Sequence, residues 1–340
     1  MSMKISPKDA ELGLRHAIRL SVTIYFVVTI FLGIPVPGYA QAADIDLHQN
    51  WDRKTAERFW FTSQGSQIMP YDWFLALEQA SNTTLFRDPA NMERLRYIQG
   101  PASELNPDNL PIGFVKDVDK ATNVAYMGLT CAACHTARIN FKGIPIIVEG
   151  GPALADFSTS LKELVDALSA TLSSQEKFDR FAQRVLRSSS GNEELRIGLE
   201  SQTAALRLRQ ERDTPKQPYG YGRFDAFGAL FNQVLAHDLN RPGNVREPNA
   251  PVSYPFLWDT PQHDYLQWNG ALPNIKTQEL GPLIRNISQV LAVFGKVDVQ
   301  PRALLPPGYS SSIPKKNLRR LINSSPGSTP RPSRCSLKRD

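Results

Sequence analysis

Apolar residues recur at helical spacing through the middle of this 340-residue chain. Over 153–169, Leu154, Phe157, Leu161, Leu164, Val165 and Leu168 fall three or four positions apart. Over 176–186 the same spacing joins Phe178, Phe181, Val185 and Leu186, and over 192–212 Leu195, Leu199 and Leu206 line one side with charges elsewhere. Phe224 to Leu239 predicts another apolar helix, which carries His237, and Pro282 to Phe294 predicts one ended by Gly295. Two shorter helices are expected at 70–78, with Pro70 at its start, and at 89–97, with Met92 and Leu95 inward. Residues 138–142 and 144–148 predict two short strands turning at Gly143. Stretches 99–122 and 240–280 are punctuated by Pro, Gly, Asn and Asp and predict long loops. The pattern therefore predicts a mostly α fold with a small β-hairpin and long loops.

Both ends depart from this pattern. Lys4, Lys8, Arg15 and Arg19 form a basic start, Leu20 to Ile34 is an apolar run, and Ala40-Gln41-Ala42 has the form of a cleavage site. Residues 1–42 are thus expected to be a signal peptide, with an uncleaved anchor as the alternative because Asp9 and Glu11 lie in a long basic region. That places the mature protein in the periplasm or outside the cell, with no transmembrane segment left after cleavage. Residues 43–312 make the expected domain. Residues 313–340 are Ser-, Pro- and Lys/Arg-rich with few large apolar side chains, and are expected to be a disordered tail, either a basic tether or an aberrant terminus.

The formal charge is +6, but leader and tail supply all the excess, and residues 43–312 carry a net −3. A mildly acidic body is no footprint for phosphates, so nucleic acid is not an expected partner.

The chemistry concentrates in Cys131-Ala132-Ala133-Cys134-His135, a C-x-x-C-H sequence. On a helix, positions 131, 134 and 135 share one face. Two thiols can then form thioethers to one edge of a flat macrocycle, and the imidazole stands under its iron as proximal ligand. One covalent haem c is the expected cofactor. A thioredoxin-like pair would sit in a βαβ unit, and none surrounds this stretch. A zinc site needs four ligands, and the remaining cysteine is Cys335 in the tail. Candidates for the sixth iron position are Met69, Met92, Met127, His48, His237 and His263. Met127 stands too close to the motif to reach across the ring, and His237 reads as a core histidine. His263, in a Trp- and Pro-rich loop, is the candidate distal ligand or pocket residue.

Residues 61–75, 127–136, 221–227 (Tyr-Gly-Arg-Phe-Asp-Ala-Phe) and 263–270 (His-Asp-Tyr-Leu-Gln-Trp-Asn-Gly) resemble bacterial di-haem cytochrome c peroxidase-like proteins, in the branch that includes rubber oxygenases. The likeness runs from about residue 55 to 318. It implies a cytochrome-c-like haem lobe, peroxidase-like oxidoreductase or electron-transfer chemistry, and a redox partner. The family carries a second C-x-x-C-H in a C-terminal lobe, and this chain has none. A mono-haem electron carrier and a truncated inactive member are the alternative expectations.

Overall fold

A computed structural model describes residues 45–322, apart from 48, 50, 189, 259, 278, 279 and 300–308. The expected signal peptide, His48 and residues 323–340, Cys335 included, lie outside the described residues.

Helix α1 (Arg53–Phe61) opens where the Asp52 carboxylate accepts from the Thr55 amide at 2.7 Å. Its apolar side, Ala56, Phe59, Trp60 and Phe61, is buried. Two short helices follow, α2 (Tyr71–Ala76) and α3 (Pro89–Arg94), the latter capped by Asp88 with Pro89 at its first position. The stretch 99–122 is not all loop: it contains strand β3 (Phe114–Val118). With β1 (Ile45–Asp46) and β2 (Met69–Pro70) preceding it, β3 pairs along its length with β4 (Ala125–Leu129), which also pairs β2, in the antiparallel order β2-β4-β3. Neighbouring Pro, Gly and Asp hid this strand, since its partner rather than its own composition defines it.

The cysteine motif forms a single turn, α4 (Ala132–His135), which leads straight into β5 (Thr136–Phe141). β5 and β6 (Ile144–Glu149) make the expected hairpin, and β1 adds in parallel to β6. Lys142 (φ 52°) and Gly143 (φ 83°) form its two-residue turn, both in the left-handed region that such turns require.

Helices α5 (Phe157–Ser173), α6 (Gln175–Leu186) and α7 (Asn192–Asp213) pack their predicted apolar faces together, with Leu164, Leu168, Phe178, Phe181 and Leu199 at most 4% exposed. α5 begins at Phe157 rather than Ala153. The Asp156 side chain caps the Thr159 amide, and the Ala153 amide donates instead to the Cys134 carbonyl at 3.0 Å. The helix expected over 224–239 is divided. β7 (Arg223–Phe224) pairs with β8 (Val252–Ser253), while between them α8 (Ala226–Phe231) passes into a π-helix, Asn232–Asp238. Buried Asn232 explains the interruption: its amide donates to the Arg246 carbonyl and accepts from the Arg246 amide. A small hairpin, β9 (Tyr265–Leu266) with β10 (Leu272–Pro273), precedes α9 (Leu280–Ala292).

The expectation of disorder from residue 313 fails over its first ten residues. Lys315–Ile322 is a helix, α10, and Ile313, Leu318 and Ile322 are buried against Leu283 and Val290 of α9. Few apolar residues suffice because Leu318 and Ile322, four positions apart, share one side of the helix, and Ile313 just before it joins them. Asn317 also donates to the Ser63 carbonyl at 2.9 Å, and Ser312 Oγ to the Gly65 carbonyl at 2.6 Å. Among the described residues, no helix is long and apolar enough to cross a membrane. The fold is mixed, dominated by helices and carrying small, mainly antiparallel sheets.

Candidate functional site

Two alanines decide which way the cysteine motif faces. Ala132 and Ala133 are 1% and 5% exposed, and Ala132 joins a core of Trp51, Phe59, Trp60 and Ile112. Beneath Ala133 lies Gly113 (φ 87°), where a Cβ would come within 2.2 Å of the Ala133 nitrogen. Only glycine permits that approach. The turn is closed by bonds to the Cys131 carbonyl from the amides of Cys134 (3.2 Å) and His135 (2.9 Å). With the alanines held inward, Cys131, Cys134 and His135 line a cavity of about 280 Å³, just under the usual lower bound of ligand pockets.

The cavity is mostly apolar. Leu129, Phe224, Tyr254 to Leu257 and Leu266 line it with the motif, and Val290 and Val293 contribute from the α9 side. Trp268 and Phe227, ring centroids 6.5 Å apart, complete it near solvent, where Trp268 is 59% exposed. Its polar side chains are few: Gln64, Thr130, His263, Gln267, Arg285 and Gln289 among them.

His135 is oriented from behind. Its Nδ1 lies 2.7 Å from the Pro255 carbonyl oxygen, which can only accept, so Nδ1 carries the proton and Nε2 is left with its lone pair. Burial lowers its pKa to about 4, which keeps the ring neutral. Both thiols are held in the opposite sense. Burial raises Cys131 and pushes Cys134 up to about 12. The Cys131 amide and Sγ both donate to Gln64 Oε1, at 3.2 and 3.1 Å. A redox-active C-x-x-C pair works through a lowered thiol pKa, and these two are raised. The strands on either side, β4 and β5, belong to different sheets, so no βαβ unit is formed. Among the described residues, no group of three or more His, Cys, Asp or Glu side chains is placed to hold a metal ion directly. An iron already held by a porphyrin requires only one or two protein ligands, and a neutral imidazole beside two protonated thiols at an apolar slot fits that group.

The structure places His263 in the wall of the same cavity as the motif, on an exposed loop. His237 does not line it. It is exposed on the π-helix, which corrects its reading as a core histidine. Met69, Met92 and Met127 are at most 2% exposed in the main core, and none reaches the cavity. Sequence reasoning missed Gln64, Pro255 and Arg285. Pro255 acts through its carbonyl, which no side-chain pattern reveals, and Gln64 reaches Cys131 from 67 residues away.

No family model matches the chain, and no solved structure matches it. A curated relative is 32% identical over 322 residues: the uncharacterized protein y4iJ of Sinorhizobium fredii strain NGR234. The match takes in 86% of this chain, which spans about half (51%) of the relative's length.

Proposed function

We propose that this chain is an exported, periplasmic or secreted c-type haem protein with one covalent haem, acting as a peroxidase-like oxidoreductase that exchanges electrons with a redox partner. The observation that carries the reading is the His135–Pro255 hydrogen bond, which sets the imidazole tautomer a proximal ligand needs, next to two thiols on one cavity wall. Cys131 and Cys134 would hold the macrocycle, each thiol adding its S–H across one vinyl group, and His135 Nε2 would ligate the iron. The bound group would supply one-electron chemistry at the iron. The chain's own part is to orient His135 through Pro255, exclude water with the apolar lining, and bring His263 into the same cavity, where it would be the candidate distal ligand or pocket residue. The resemblance to di-haem peroxidases supports a reacting iron rather than a sealed one, and the electron carrier is the second reading.

The test is export of the full chain in cells equipped for c-haem attachment, followed by acid-acetone extraction and intact mass. Pigment retained on the polypeptide, with one added haem, is expected. Pigment that extracts fully, or an unmodified mass, refutes the proposal. In the visible spectrum, a high-spin ferric form that changes on adding peroxide supports turnover. A low-spin form indifferent to peroxide moves the function to electron carriage.

A further inference from the structure

The polar groups of the cavity wall are unevenly matched. Its acceptors are largely engaged: Gln64 Oε1 by Cys131, the Pro255 carbonyl by His135, Gln267 Oε1 by Gln289 Nε2 at 3.2 Å, and Asn286 Oδ1 by Arg285 Nε at 3.1 Å. Two polar atoms of the wall are fully buried without a partner, Gln64 Nε2 and Gln267 Nε2, and both are donors. Arg285 adds to that excess. Its Nη groups make no hydrogen bond, and no carboxylate lies within ion-pair distance among the described residues. A guanidinium in an apolar wall without a counter-charge is costly, and burial pulls its pKa down from the ordinary arginine value. By contrast, Arg209 and Arg212 pair with Asp213, and Lys177, Arg180 and Arg184 converge on Glu78.

We propose that Arg285 is the carboxylate receptor of this cavity, with Gln267 as a supporting donor, and that the ligand brings the acceptors the wall lacks. The planar fork of guanidinium donors matches a carboxylate bidentately. Under the haem reading, on which this choice of source rests, that carboxylate is a porphyrin propionate. A free small carboxylate entering the same slot is the other source of the same chemistry.

The test uses the full chain with Cys131→Ser and Cys134→Ser, so that porphyrin binds reversibly, and compares protoporphyrin IX with its dimethyl ester by fluorescence quenching. The free acid is expected to bind about 10–100-fold more tightly than the ester, the range of one charge-assisted, desolvated contact. Arg285→Gln is expected to abolish that preference and Arg285→Lys to retain part of it, with circular dichroism recording that each variant folds. The wild-type Arg285 comparison of acid and ester stands even if a variant does not fold. A second arm titrates the porphyrin-free chain with benzoate. Benzoate binding that depends on Arg285, without preference for the porphyrin acid, keeps the receptor and assigns the free carboxylate as its source. Equal binding of acid and ester together with no Arg285-dependent benzoate binding overturns the proposal. Covalent adduct formation by the unaltered chain is scored separately, so loss of the haem reading and loss of the receptor give different results.

Discussion

Replacing Gly113 by alanine strikes the support under the one-turn helix that aims Cys131, Cys134 and His135. At φ 87° an L residue costs about 1–2 kcal/mol. The added Cβ would stand 2.2 Å from the Ala133 nitrogen and 2.5 Å from its Cα, where carbon atoms ordinarily rest about 3.5–4.0 Å apart. Backbone, not a pliable side chain, must yield by more than an ångström, adding about 1–3 kcal/mol as overpacking does. Gly143→Ala is the internal control. Its φ of 83° carries the same conformational cost, but nothing lies within 4 Å of the new Cβ. The difference between the two variants therefore isolates the contact at Ala133. For a chain of this size it corresponds to a melting point about 2–12 °C lower for Gly113→Ala than for Gly143→Ala. Differential scanning calorimetry measures the gap. Export with the haem-attachment machinery measures its consequence, a lower yield of covalent adduct in the first variant alone. Melting points within about 1 °C of each other would refute the idea that Gly113 braces the motif.

Three further outcomes are expected. Glu78, 3% exposed and bonded by Arg180 and Arg184, is held at a pKa of about 2 by those guanidiniums, below its ordinary 4.5, so its contribution to stability is complete above about pH 4.5 and lost as pH falls towards 2. That difference is equivalent to at most ~3 kcal/mol, and because Arg180 and Arg184 are 35% and 38% exposed, about 1–2 kcal/mol remains after screening. Glu78→Gln should melt lower than wild type at pH 7 and converge with it near pH 2.5, and a gap unchanged across that range would contradict the ion cluster. Leu318→Ala, removing a side chain 1% exposed between α9 and α10, should cost about 2–5 kcal/mol in urea unfolding, while exposed Lys316→Ala should cost under about 0.5; equal effects would mean that α10 does not pack there. In haem-loaded protein, His263→Ala should alter the ferric visible spectrum and Met127→Leu should not. The reverse result would move the sixth position away from the cavity loop.

The three long helices, the hairpin at Gly143 and the cysteine motif were legible because each is written in local terms: a period, a turn residue, a fixed spacing. The spacing of Cys131, Cys134 and His135 already implied one shared face, and a single helical turn delivers it. What the chain order does not carry is partnership. β3 is a strand because β4 lies beside it, and Lys315–Ile322 is a helix with a buried side because α9 offers Leu283 and Val290. The helix expected across 224–239 changes to π geometry at Asn232, whose amide satisfies the backbone of Arg246, fourteen residues on.

The site divides along the same line. The sequence alone determined which groups are available to hold a ligand, since thiol and imidazole chemistry belongs to residue type and spacing. Only the tertiary structure decided their state and surroundings. The Pro255 carbonyl selects the tautomer of His135 across 120 residues, and burial raises both thiols while holding the imidazole neutral. His263 and Arg285 are brought into one wall with the motif, whereas His237 and the methionines are carried elsewhere. The physical reason is that protonation, orientation and pairing depend on distance and desolvation in space. Those quantities exist only once remote segments have packed.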